Sequence, residues 1–333
     1  MAESIGITRG GPKRPVVATP PRLARSVRRT STIDSIRPAG PAGVVIVIAR
    51  GRDLHTSQGD EVVLDAAQFE AVVSAGRVLE SLEHPDRRLQ HLVGLSVASG
   101  FRAKIQEVVP DEALGLTPLH LLLDDLPGAN LVAGYAMQRH ASWTEHRIPV
   151  AHLAAVSDLC AGWATGATIL DTVEKTGSVP IPTSALVPPD LDDSAGWHER
   201  PPLPEGAMRR ARRLDIMSDD PDETTLRFDA HFRDSYVDAD VGEGAVHEYS
   251  LQGRFDPSDH TITSINAAAH VLPWLECPLA LDSVDRVLGL PTDDLRAHVR
   301  GTFIDTSTCT HLNDMLRSLA DLPRLAAPLL TVA

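Results

Sequence analysis

Two residue patterns occur twice in this chain at one offset of 181 residues. Arg28-Arg29 followed by Ile33-Asp34 returns as Arg209-Arg210 followed by Leu214-Asp215, and Ala49, Arg52 and Asp53 return as Ala230, Arg233 and Asp234. Farther on, Val93-Gly94-Leu95 is matched by Leu288-Gly289-Leu290, and Thr117-x-x-His120-Leu121 by Thr308-x-x-His311-Leu312, at shifted offsets that imply loop insertions. The order of all four matches is kept, so they predict one supersecondary unit used twice. The expected organisation is a basic flexible arm at 1–26, an N-terminal repeat without cysteines at 27–130, a helical and proline-rich connector at 131–205, and a C-terminal repeat at 206–333 that carries the cysteines.

Within the C-terminal repeat, residues 208–217, 225–237, 246–255 and 261–271 read as strands separated by Asp/Pro/Gly/Ser turns, which makes a four-stranded meander. After Pro273 the period changes, and 279–289, 292–302 and 308–322 read as helices, with Cys309, Leu312, Leu316 and Leu319 on one face of the last. The fold class that follows is α+β: two related meander-plus-helices repeats, joined by a helix over 151–175 and a stretch, 180–204, with seven prolines. At 333 residues and 43% hydrophobic, the chain can fill two cores or one large one.

Composition narrows the function classes. The net charge is −14, and residues 1–40 hold eight Lys/Arg against two Asp/Glu, so the rest carries about −20. A body that acidic argues against nucleic acid as partner. Three cysteines without framework spacing argue for a reducing, cytoplasmic setting, and no apolar run is long enough for a membrane helix. No phosphate-binding glycine pattern implies a nucleotide. A small-molecule substrate remains as the expected partner, and a homo-oligomer is compatible with the sequence.

Strand alternation points to a site. In the second strand of the C-terminal repeat Phe228, Ala230, Phe232, Asp234 and Tyr236 face one way, and in the third His247, Tyr249, Leu251 and Phe255 form the apolar set. Asp234 and His247 are thus polar residues on a core face, where an unpartnered group costs about 1–3 kcal/mol. Cys277 at a strand-to-helix junction and Cys309 at a helix start can approach that face, and a helix N-terminus favours a thiolate. The expected metal ligands are His247, Cys277 and Cys309, with Asp234, Glu248 and His311 as catalytic groups. His311, two residues past Cys309, points away from it on a regular helix. The opposite stripe of Asp229, His231 and Arg233 reads as a solvated sheet face, and Arg52-Asp53 and Arg233-Asp234 read as structural ion pairs.

Val246-His247-Glu248-Tyr249, Glu276-Cys277-Pro278 and Cys309-Thr310-His311-Leu312 resemble the bacterial family catalogued as domain of unknown function 2889. Asp124-Asp125-Leu126-Pro127 and Cys160-Ala161-Gly162-Trp163 are similar to the longer actinobacterial form of that family. The layout of strands, a junction cysteine and a final Cys/His at a helix start is also similar to the NifU-like iron-sulfur scaffold fold. That second resemblance implies a metal or cluster site, and a His or Glu in place of one scaffold cysteine favours zinc or mononuclear iron. Pro118 stands where Cys309 falls in the other repeat, so the N-terminal unit is expected to be a wall or docking surface. The function these readings support is a metal-dependent enzyme of hydrolase, hydratase or lyase type on a small organic or acyl substrate. The alternatives are a non-catalytic metal or iron-sulfur carrier and a metal-free ligand-binding module.

Overall fold

A computed structural model describes residues 10–40, 43–139, 156–177, 185–187, 193, 195–218 and 224–330. Its strands are β1 (Ser26–Ile36), β2 (Val45–Thr56), β3 (Glu61–Val73), β4 (Leu79–Glu83), β5 (Ala185–Leu186), β6 (Met208–Met217), β7 (Leu226–Asp238), β8 (Gly242–Asp256) and β9 (Thr261–Val271). They form one antiparallel sheet in the order β4-β3-β2-β1-β6-β7-β8, with β5 and β9 both paired to β8. Helices Pro118–Val132, Thr310–Ser318 and Leu322–Leu330 lie on one face. The molecule is therefore α+β, as the periodicity predicts.

The two meanders meet at β1 and β6, which run antiparallel side by side. Both strands are buried along nearly their whole length although they are rich in Arg, Asp and Thr. Such burial is tolerated only when each charge is paired. Arg28 donates through Nε and Nη2 to Asp215 at 2.7 Å each. Arg209 does the same to Asp34, at 2.6 and 2.9 Å, so the two arginines of the recurring pattern reach across the seam to each other's strand. Apolar cores flank this ionic seam, one around Phe69, Leu82, Phe101 and Leu122, the other around Phe228, Tyr249, Leu251 and Leu316.

The expected strand 208–217 and strand 261–271 have the observed bounds, as has the helix Thr292–Thr302. Residues 277–287 form a 3-10 run instead of the expected α-helix. The helix expected over 308–322 spans Thr310–Ser318 and ends in a 3-10 turn at Leu319–Asp321, and a further helix, Leu322–Leu330, follows beyond the expected bounds. The helix expected over 151–175 is shorter: among its described residues a 3-10 turn occupies Ala161–Trp163 and the helix spans Thr168–Thr176. Cys160 thus precedes a turn and does not share a helix face with Trp163.

Two expectations about surfaces are corrected. The described part of the N-terminal arm is docked: Arg14 N donates to His270 O and Leu272 N to Pro12 O, both beside β9, and Arg22 pairs with Asp193. The stripe expected to be solvated is consequently buried, with His231 and Arg233 only 6% and 5% exposed. Nor do Arg52 and Asp53 pair with each other, since neighbours on a strand point to opposite faces. Arg52 donates to the carbonyls of Ala195 and Trp197, whereas Asp53 accepts from Arg29.

The helix Pro118–Val132 starts with Thr117 capping the amide of His120 and Pro118 in the first helical position. At Gly128 the helix crosses so close to the sheet that an added Cβ would run into the Arg210 guanidinium and the Asp314 carboxylate. Gly128→Ala is therefore expected to destabilise the protein by about 1–3 kcal/mol, read as a lower urea midpoint. A midpoint equal to wild type would show that the ion pair can move aside.

Candidate metal centre

Asp234 on β7 stands opposite His247 on β8, and the pairing register shifts immediately after Asp234. The β-bulge re-aims the two side chains towards the helices. From there the start of the helix Thr310–Ser318 brings in His311. Cys309 is still extended (φ −133°, ψ 131°) as the residue preceding that helix, so Cys309 and His311 reach the same place, which a regular helix would have prevented.

The geometry is close. Asp234 is fully buried and accepts from Arg210 Nε at 2.9 Å and Nη2 at 3.2 Å. His247 Nδ1 lies 3.6 Å and His311 Nε2 3.8 Å from Asp234 Oδ2. The imidazoles stack with centroids 3.6 Å apart and planes 15° from parallel. One donor atom from each of Asp234, His247 and His311 lies within 4.8 Å of the others, and neither Cys277 nor Cys309 belongs to that group. His247 Nδ1 is buried without a hydrogen-bond partner.

Both rings are held neutral. Burial, the neighbouring His311 and the Arg210 charge push His247 well below its usual value, with Asp234 opposing. Burial and Arg210 lower His311 to about 3. Neutral imidazole is the form that ligates metal. The thiols do not behave as a helix N-terminus alone predicts. Burial raises Cys309, outweighing the pull of Tyr249 and of the His311 and Leu312 amides, and burial raises Cys277 further. Cys309 Sγ sits 3.7 Å from His311 Nδ1 and accepts from Tyr249 Oη at 3.4 Å.

Of the other expected residues, Glu248 points to the opposite face of the sheet, as its odd register with His247 requires. There its Oε1 meets His231 Nε2 at 2.6 Å, Arg233 Nη2 at 2.7 Å and the Val16 amide at 3.1 Å. Cys277 packs against Gly162, where a Cβ would collide with its sulfur. Sequence reasoning overlooked Arg210 as the partner of Asp234, although it stands in the recurring Arg-Arg pattern. Lys13 was missed as well. Burial lowers its ammonium to about 8, opposed by the nearby Cys277, and it donates to Leu272 O at 2.8 Å.

The other half of the sheet supplies the comparison. Asp53 on β2 stands opposite Asp65 on β3, again with a register shift immediately after the aspartate. It accepts from Arg29 at 2.6 and 2.7 Å, as Asp234 does from Arg210. The remaining space is filled by Arg324, whose Nη2 is 2.6 Å from Asp65 and whose Nε is 3.4 Å from Asp53. Where one half places this guanidinium, the other places two neutral imidazoles.

Residues 208–324 match the family model described as Protein of unknown function (DUF2889). That segment is a DUF2889 domain. It runs from the first residue of β6 to Arg324, and it contains Asp234, His247, Cys277, Cys309 and His311 but none of β1–β4. No curated protein and no solved structure matches the chain, and the likeness to the NifU-like scaffold gains no support from them. Among the described residues no helix is long and apolar enough to cross a membrane.

Proposed function

We propose that the DUF2889 domain holds one divalent metal ion on Asp234, His247 and His311 and is a metal-dependent enzyme acting on a small organic substrate. The observation that carries this reading is the cationic gap. Asp53 is faced by two guanidinium groups, Arg29 and Arg324, whereas Asp234 is faced by Arg210 and two neutral rings, one with an unpartnered Nδ1. A second positive charge with vacant coordination sites satisfies the carboxylate and the orphaned nitrogen together. Two histidines and one carboxylate are a donor set for zinc or mononuclear iron, with positions left open for substrate.

Arg210 fixes the carboxylate, and Cys309 beside His311 Nδ1 holds that ring's Nε2 towards Asp234. A divalent ion in this setting supplies Lewis-acid chemistry, polarising a carbonyl or activating water, which suits the hydrolase, hydratase or lyase class.

Protein purified without chelator and reconstituted with zinc or iron(II) is expected to bind about one equivalent, and the double variant His247→Gln/His311→Gln less than about 0.1 equivalent. Equal metal in wild type and double variant would place the ion elsewhere, and none in wild type would end the proposal. Cys309→Ser is expected to keep the metal but to weaken it about tenfold, as loss of a positioning contact does, while Cys277→Ser leaves affinity unchanged. Complete loss of metal in Cys309→Ser would make the thiol a ligand instead.

A further inference from the structure

On the outer side of the helix Thr310–Ser318 lies a groove of about 580 Å³, roofed by the β3–β4 turn and the helices that start at Phe101 and Thr292. Four arginines line it, Arg77, Arg102, Arg300 and Arg317, against one carboxylate, Asp314. On a chain of net charge −14 this is a concentrated positive surface.

Its parts are differently employed. Arg102 and Arg317 form the floor, both bonded to Asp314 and both reaching Asp124. Arg317 is only 5% exposed, and its Nε has no hydrogen-bond partner. Arg77 and Arg300 stand exposed at the rim, and their side chains make no ion pair or hydrogen bond among the described residues. Two helix starts open into the same space. Gly100 precedes Phe101–Val108, where the Ala98 and Gly100 carbonyls accept from the Phe101 and Ala103 amides, and Cys309 precedes Thr310–Ser318, where its sulfur faces the His311 and Leu312 amides. The remaining lining combines the apolar Val97, Leu131, Val299 and Phe303 with Ser99, Thr310 and Asn313.

We infer that this groove binds a small organic anion, with an oxyanion head between Arg77 and Arg300 and an apolar body along Phe303 and Leu131. Two unpaired cations at the rim above a floor of Arg102 and Arg317 suit a charged head, and the apolar stretch of Val97, Leu131, Val299 and Phe303 suits an alkyl body. The site is separate from the metal cluster, so its occupancy does not depend on metal. It meets that cluster through Asp314, which accepts from Arg210 Nη1 at 2.8 Å while Arg210 holds Asp234, and through Thr310, whose Oγ1 lies 3.4 Å from His311 Nδ1.

The test is titration calorimetry of the full chain, with and without chelator, using hexyl phosphate, hexanoate and inorganic phosphate. Saturable binding of hexyl phosphate or hexanoate is expected, and whichever is tighter names the head group. Inorganic phosphate, without the apolar body, should bind about tenfold or more weakly. The double variant Arg77→Gln/Arg300→Gln, both at exposed positions, should weaken the alkyl ligand by about tenfold or more, while the exposed control Lys175→Gln should not. Absence of saturable binding by either alkyl anion, or an unchanged affinity in the double variant, would overturn the assignment. Binding that persists under chelation separates this site from the metal reading, whichever way that one falls.

Discussion

Arg210→Met is expected to destabilise the protein by about 3–5 kcal/mol, the range for removing one partner of a buried ion pair. Arg210 is 1% exposed at its side chain and holds two carboxylates, Asp234 and Asp314. Asp314 keeps Arg102 and Arg317 after the change, but Asp234 keeps only two neutral imidazoles. Arg29→Met is the informative comparison, because it occupies the corresponding place at Asp53. Its loss leaves Asp53 with Arg324 and Asp321 with Arg296, so the penalty should be distinctly smaller. Urea unfolding of the two variants reads the difference. If an ion occupies the Asp234 cluster, added zinc should recover part of the loss in Arg210→Met and none in Arg29→Met. Equal losses in the two variants would mean that the two aspartates are equally well supported.

Acid is expected to unfold this protein well before its carboxylates are titrated. His120 and His231 are lowered to about 4 and His198 and His311 to about 3, all chiefly by burial, and His247 shifts the same way. Unfolded, these rings titrate near 6.5, so below that value the unfolded chain binds more protons than the folded one. The stability they contribute is complete above pH 6.5 and is lost as pH falls towards 3. Each such histidine steepens the loss by up to about 1.4 kcal/mol per pH unit. A melting temperature that falls steeply below pH 6.5 is the expected result, whereas a flat profile down to about pH 4.5 would show that the rings are solvated or already charged. His120, His198 and His231 lie outside the metal cluster, so the fall should survive chelation.

Much of the site was legible in the strands. Asp234 and His247 were placed on the core face by alternation alone, and the Cys309/His311 pair by its helix start. What misled was the assumption that residues near one another in the pattern share a face. Glu248 follows His247 directly and therefore belongs to the other side of the sheet, where the docked arm makes a partner of it. Cys277 instead packs against Gly162, in the 3-10 turn Ala161–Trp163 far away in sequence. His311 was expected to point away, and the extended backbone at Cys309 is what turns it in.

Local sequence determined the elements. Asp/Pro/Gly/Ser turns bounded the strands 208–217 and 261–271, period 3.6 set the helix 292–302, and Thr117-Pro118 set a helix start. These depend on neighbours a few residues apart, so a short window contains the whole cause. The tertiary structure alone decided that β1 lies against β6, which turns Arg28 to Asp215 and Arg209 to Asp34 and buries two highly polar strands. It also decided that the described parts of the connector and of the basic arm, such as His198 against Thr30 and Thr32 and Val16 against Glu248, lie on the far face. Alternation says which side chains share a face but not what will cover it. The pairing of buried charges is settled by strand order, which joins residues more than 160 positions apart.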